Sequence, residues 1–523
     1  MSLLGCADVA EEDLLSGQKG SSTGFNRAMA LVGAGAGMRG ASIVGTKAVA
    51  LVTTALLVRL LGADLYGALA LGLSVVALSA AVMRGFGIAA TRTLAADRAT
   101  GDREAARDVV RGLNAIVVAI VPSGLVVVMI IVVLSQGQLE MGQRVVVGLG
   151  LGVLLIGRVA SGASEAVARG SGRVVLMAIP GLGEVLSRFA VALTLTALSI
   201  RTLGAVGVGF IIAGITATLV AAGVIDRAMT GFDHVFRITT SAAAKLARLT
   251  GPYAVASVAA SLIASFDVFV LGLTHPGRPV GLYAPVLAMT EALTLLAPSL
   301  LMAMFVTAAT RLIALGDTDG FERLYLTISR LMILSAMPAL ILLATSSTSL
   351  LRTAYGDDFP VGESLVHVLL IGAFLNVIFG ANAQALIASG ARRLLTRAFL
   401  WPGIVMLISS AALVPTFGPL GAAWATTLAY AALNVFMSWS LYRATGVHPL
   451  HRGLVILVAT APLAVVGAGA IVGLFGAGLW TNALISILVW VAWIFVARAT
   501  GAFRFAELRG LLPSRTDKMG DTN

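Results

Sequence analysis

Eight ionisable side chains fall inside long apolar runs: Lys47, Arg84, Arg158, Glu165, Glu184, Arg188, Asp267 and Glu291. On insertion scales a charge at mid-bilayer costs about 2.5–3.5 kcal/mol, so each asks for a partner or a task. Cations in a low-dielectric chamber can replace the hydration of an anion, with arginine offering a forked match and lysine a point charge. Lys47 and Arg84, with Arg39 beside them, suit that chemistry. Arg39 and Arg84 lie near the ends of their runs and can instead snorkel to the interface; Lys47 lies deeper. Glu184 and Arg188 are spaced to neutralise each other along one helix, acid first. Arg158 and Glu165 share a helix face and allow the same reading. Asp267 stands alone in SFDVFVLG. It can bind a coupling cation, contact substrate hydroxyls or bond another helix, and Glu291 is similar.

The elements that position these groups follow from composition. Hydrophobic residues make up 58% of the 523 and charged ones 12%, with a mean hydropathy of +0.96. A soluble chain carries roughly 25% charged residues, so most of this surface faces lipid. The apolar runs are continuous rather than alternating, which predicts helices and not a barrel. Fourteen runs, from 40–62 to 479–497, are long enough to cross; the first is weakened at its start by Gly33, Gly35, Gly37 and Gly40. The net charge of +11 resembles a nucleic-acid signal, yet the basic residues are scattered singly between spans. Alternate loops and tails hold 27 of the 36, while the opposite loops hold only Arg59, Arg144, Arg201, Arg278 and Arg352. Basic loops stay in the cytoplasm, so both termini are expected there, in a multi-pass protein of a bacterial inner membrane. No nucleic-acid partner is expected, and the loops are too short for an extramembrane catalytic domain.

An internal repeat organises the chain. AATRTLA (89–95) and AATRLIA (308–314) each close a span that opens with tyrosine and glycine close together, Tyr66 and Gly67 in one, Gly281 and Tyr283 in the other. Six-helix halves related by an axis along the membrane normal are a transporter plan with substrate at their interface. The expected organisation is a disordered cytoplasmic tail (1–34), six-helix lobes at 35–235 and 240–445, two extra helices at 450–498 and a second tail (499–523). Pro285 and Pro298 lie beside the lobe interface as candidate hinges, since proline removes a backbone hydrogen bond and kinks a helix; static kinking is the plainer alternative.

Four segments carry a family resemblance: LLGADLYGALALGLSVVALSAAVMRGFGIAATRTLA from Leu60, DVFVLGLTHPGRPVGLY from Asp267, YGDDFPVGESLVHVLLIGAFLNVIFGANAQALIASG (355–390), and GPLGAAWATTLAYAALNVFMSWSLYRATGV (418–447). In that order they resemble polysaccharide and lipid-linked oligosaccharide flippases of the Wzx type, in the multidrug/oligosaccharidyl-lipid/polysaccharide (MOP) superfamily. The resemblance implies an all-α membrane fold of two MATE-like lobes around a central cavity, working by alternating access. It implies a substrate, a polyprenyl-diphosphate-linked oligosaccharide, moved to the outer leaflet for cell-surface polysaccharide or glycolipid biosynthesis. The diphosphate would then meet Arg39, Lys47 and Arg84, and Asp267, Glu291, Glu184 and Arg188 would serve coupling or sugar contact. Glycosyltransferases or a polymerase of the same pathway are expected partners beside the bilayer. The two last helices depart from the twelve common in that family and are more like those of the lipid II flippase.

Other chemistries fit less well. Gly40 to Lys47 reads GASIVGTK, where Thr46 separates lysine from the second glycine that a phosphate loop requires. His448 and His451 lack further ligands nearby, so neither metal nor cofactor is expected, and the one cysteine, Cys6, offers no disulfide. The acidic tail at Glu11, Glu12 and Asp13 is unlike a signal peptide. A cation-coupled drug exporter would favour acids over Lys47 and Arg84 in the N-terminal half. A membrane glycosyltransferase or polymerase would need large outer loops and more than Asp357 and Asp358.

Overall fold

The computed structural model describes residues 21–100, 103–134, 140–229, 239–302, 305–357, 359–360, 362–448, 450–475 and 478–503. Inside lipid every backbone N–H and C=O must bond within its own segment, and these residues are helical almost throughout. Two long helical stretches are broken by glycines. Gly62 (φ 74°, ψ 170°) divides Ser21–Thr100 into α1 (21–61) and α2 (63–100). Gly418 (φ 56°, ψ −130°) divides Arg392–Thr445 into α13 (392–417) and α14 (419–445). Positive φ at these turns is open to glycine and costly for other residues.

Between them run α3 (Arg103–Leu134), α4 (Met141–Gly170), α5 (Val174–Ala197), α6 (Leu203–Ala228), α7 (Thr240–Thr274), α8 (Arg278–Met302), α9 (Phe305–Ala314), α10 (Thr318–Tyr355), α11 (Glu363–Ile378) and α12 (Ala381–Ala388). The chain ends in α15 (Arg452–Phe475) and α16 (Leu479–Ala499). Counting α8–α9 and α11–α12 as one crossing each, these make fourteen crossings. Following the organisation expected from the sequence, α1–α6 are called the N lobe, α7–α14 the C lobe and α15–α16 the appended pair.

Small residues let backbones touch. In the N lobe, Gly150 and Gly157 of α4 meet Gly207 and Gly214 of α6, where added Cβ atoms would lie 2.3 and 2.6 Å from carbonyl oxygens. Such close approach is how membrane helices associate without a hydrophobic drive. The same device joins the lobes. A Cβ on Gly67 would fall 1.9 Å from the Gly277 oxygen, and one on Gly281 only 1.7 Å from that of Ala63. The two glycines of the repeat therefore pack at one interlobe contact, at the end of the bundle where arginine is scarce. Helix α16 leans on α10, where Trp490 Nε1 donates to the Leu334 carbonyl at 2.7 Å, and on α15, where Trp493 Nε1 donates to Thr460 Oγ1 at 2.9 Å.

The N-terminal region differs from expectation. Helix α1 starts at Ser21 and runs through Gly33, Gly35, Gly37 and Gly40, so residues 21–34 of the expected tail are helical. Residues 1–20 and 504–523 of the two tails lie outside the described residues.

Candidate functional site

Arg158 of α4 faces α5. Its Nε and a terminal nitrogen donate to Glu184 Oε1 at 3.0 and 2.8 Å. Arg188, one turn further along α5, stands 3.8 Å from the same oxygen and 5.6 Å over the Phe210 ring. The sequence spacing pointed to Glu184 with Arg188, but the shorter bonds come from Arg158 across the helices. Arg158 does not pair with Glu165, which instead binds Arg169 one turn on along α4. One carboxylate thus serves two guanidiniums, and the Arg188 Nε has no hydrogen-bond partner. The cluster retains an excess positive charge.

Arg84 of α2 extends that charge to the lobe interface. It donates to Ser261 Oγ of α7, and it lies close enough to Arg158 to feel its field. Lys47 of α1 is half-buried and interacts electrostatically with Glu291 of α8 in the other lobe. Arg39 lies on α1, and its side chain falls outside the described residues. Arg84, Arg158 and Arg188 therefore set three cations against the carboxylate of Glu184, while Lys47 is set against Glu291.

The C lobe reverses the sign. Asp267 of α7 is fully buried. Its Oδ2 accepts from Tyr283 at 2.5 Å and Thr426 at 2.7 Å, and its Oδ1 from the Val268 amide at 2.8 Å. These bonds tie α7, α8 and α14 together, which is the interhelical role among the three readings of Asp267. Glu291 is less encumbered: Oε1 accepts from Tyr430 of α14 at 2.5 Å. It lines a narrow cavity with Thr290, Thr294, Asn376 and Tyr430, between α8, α11 and α14. Pro285 and Pro298 are buried in α8, and the Pro285 carbonyl accepts from Tyr355 of α10 at 2.9 Å.

Arg158 was singled out by sequence but read with Glu165 as its partner. Three participants, Thr290, Asn376 and Arg59, were not singled out. Thr290 and Asn376 carry no charge, so nothing in an apolar run marks them. Arg59, counted only as a loop charge, donates to the carbonyls of Thr353 and Ala354 in the last turn of α10, the latter at 2.9 Å. That bond joins α1 to the C lobe beside the glycine contact.

No protein-family profile and no curated protein sequence matches the chain. Solved structures do. The inward closed conformation of the lipid II flippase MurJ superposes with a TM-score of 0.67 at 14% identity, covering 87% of this chain and 97% of that one. An inward-facing multidrug resistance MATE transporter of the MOP superfamily gives 0.60 at 14% identity, over 77% and 95%. Its outward-facing counterpart gives 0.54 at 14%, over 83% and 99%. The likeness shows the fold: a multi-pass, all-helical membrane architecture shared with these structures.

Proposed function

We infer that this protein is a transporter that moves a lipid-linked oligosaccharide, carried on a polyprenyl diphosphate, across a bacterial inner membrane. The observation that carries the reading is the excess of cations over carboxylate in the N-lobe cluster of Arg84, Arg158, Arg188 and Glu184. A diphosphate leaving the headgroup region loses its hydration, and fixed cations replace it at lower cost than apolar surface could. By their places along alternating helices, Lys47 and Arg84 lie toward the arginine-rich end and Arg188 toward the other, with Arg158 between. The series suits an anion received at the cytoplasmic face and released outside, while its polyprenyl tail stays in lipid. Both termini are then cytoplasmic, and the lobes rock about their interface. Asp267 serves packing, and Glu184 charge balance, more than contact with sugar.

A second reading, export of a cationic drug, draws on the buried carboxylates Asp267 and Glu291 and on the MATE likeness. The two separate in a depletion strain. The first predicts that a polyprenyl-linked glycan accumulates on the cytoplasmic leaflet, with drug tolerance unchanged. Loss of tolerance without any such build-up would end the sugar assignment.

A further inference from the structure

Helix α10 carries two faults in its backbone. At Pro338 the ring replaces the amide hydrogen that would bond the Leu334 carbonyl four residues earlier, and it crowds that oxygen aside. At Ser346 the chain leaves helical angles (φ −141°, ψ 21°). A peptide oxygen freed inside lipid is costly unless another donor reaches it.

Both faults are served from other elements. The indole Nε1 of Trp490, on α16, donates at 2.7 Å to the Leu334 carbonyl, the oxygen that Pro338 leaves without its amide. Beside the second fault, His367 Nε2 of α11 donates to the Ala344 carbonyl at 3.1 Å. A Cβ on Gly469 of α15 would lie 4.0 Å from Thr345 Cγ2. The appended pair therefore meets α10 at both faults, α16 at the first and α15 at the second.

What lies beyond Ser346 gives the joint a use. The terminal piece of α10, residues 347–355, ends in the carbonyls of Thr353 and Ala354, which accept from Arg59 of α1. Its last residue, Tyr355, donates to the Pro285 carbonyl of α8 at 2.9 Å. One short segment thus ties the lobes together at the arginine-poor end, and it hangs from a helix that can bend in two places. The Trp490 bond is made while that end is closed. A contact made in one of two conformations shifts the balance toward it.

We propose that Trp490 is a positioning residue: by filling the carbonyl that Pro338 frees, α16 splints α10 and holds its terminal piece against Arg59. The bearing of this splint on transport rests on the transporter reading above; the splint itself does not.

The test uses the purified full-length protein in detergent, without substrate, in a Cys6→Ser background. Spin labels on cysteines at Arg201 and Arg352, both exposed, report by pulsed electron resonance the distance between the N lobe and the end of α10. Trp490→Phe keeps an aromatic ring and loses the donor. It should raise the ratio of long to short distances several-fold, about the effect of one hydrogen bond. Pro338→Ala returns an amide to the Leu334 carbonyl, so in that background Trp490→Phe should change the ratio little. A tryptophan that only filled space or anchored α16 in lipid would act alike in both backgrounds; that result would overturn the splint, as would no change in either. His367→Leu removes the donor at the other fault and should raise the ratio with or without Pro338→Ala. If its effect vanished there too, a generally stiffened helix would be the cause, and the proposal would fall. Should Trp490→Phe misfold, rescue by Pro338→Ala supports the splint and misfolding in both backgrounds refutes it. A splint found in a protein that flips no glycan would sink the transport reading alone.

Discussion

At the scale of single residues, the N-lobe cluster is the place where a small change has a large effect. Glu184 is the carboxylate between Arg158 and Arg188. Removing one member of a buried ion pair typically costs about 3–5 kcal/mol, because the partner is left uncompensated. Glu184→Gln should therefore lower the unfolding temperature of the purified protein, and Arg158→Met added to it should recover part of the loss. If the double variant is no more stable than Glu184→Gln alone, the repulsion between the arginines is not the cause. Lys47 is different, since Glu291 across the interface is its electrostatic neighbour. Lys47→Ala should leave expression and folding intact while reducing glycan flipping in proteoliposomes by more than about tenfold, a loss of about 1.4 kcal/mol or more. Full activity in that variant would remove the best phosphate contact.

The elements were more legible than the contacts. Fourteen apolar runs became fourteen crossings, because the backbone in lipid has no alternative to the helix. The glycine and tyrosine of each repeat unit marked α2 and α8 as equivalent, and the structure packs Gly67 and Gly281 at one interlobe contact. What stayed hidden was partner choice between helices. Spacing along one helix suggested Glu184 with Arg188, but rotation of α4 against α5 brings Arg158 closer, and no single-helix pattern encodes that rotation. The unpaired Thr290 was invisible for a related reason: a threonine costs little in an apolar helix until its surroundings deny it a partner. The breaks at Gly62 and Gly418 matched gaps between runs, while the helical start at Ser21 did not, since glycines weaken helix propensity without forbidding it.

The interlobe contact also supports a prediction at the level of the elements. A Cβ at Gly281 would meet the Ala63 carbonyl at 1.7 Å, and backbone cannot yield as a flexible side chain does. Gly281→Val should wedge α8 from the turn between α1 and α2, opening the arginine-poor end. Arg59→Ala, which removes the donors to the last turn of α10, should open the same end more gently and without a clash. A cysteine at Ala63 should then react faster with a membrane-impermeant thiol reagent in both variants than in a Cys6→Ser background alone. Unchanged labelling in both would mean that this end is not held by these contacts.

For the whole molecule, the two lobes differ in the sign of their inner charge. The N lobe brings Arg84, Arg158 and Arg188 against Glu184, and Lys47 against Glu291 of the C lobe, which also carries Asp267. On the transporter reading proposed above, attraction across the interface favours closure in the absence of substrate, and an anion entering the N lobe competes for Lys47. The charge that holds the lobes together and the charge that binds the headgroup are on that reading the same charge, which links occupancy to movement. Exchanging the signs separates the two roles. Lys47→Glu alone should place two carboxylates in opposition, loosening closure and ending transport. Adding Glu291→Lys restores opposite signs across the interface, so the protection of an interlobe cysteine such as one at Ser261 should return. Transport should not return, because the cation now stands in the wrong lobe to receive a diphosphate. Recovery of both would show that the pair serves closure alone, and recovery of neither would show that Lys47 and Glu291 do not act on each other across the interface.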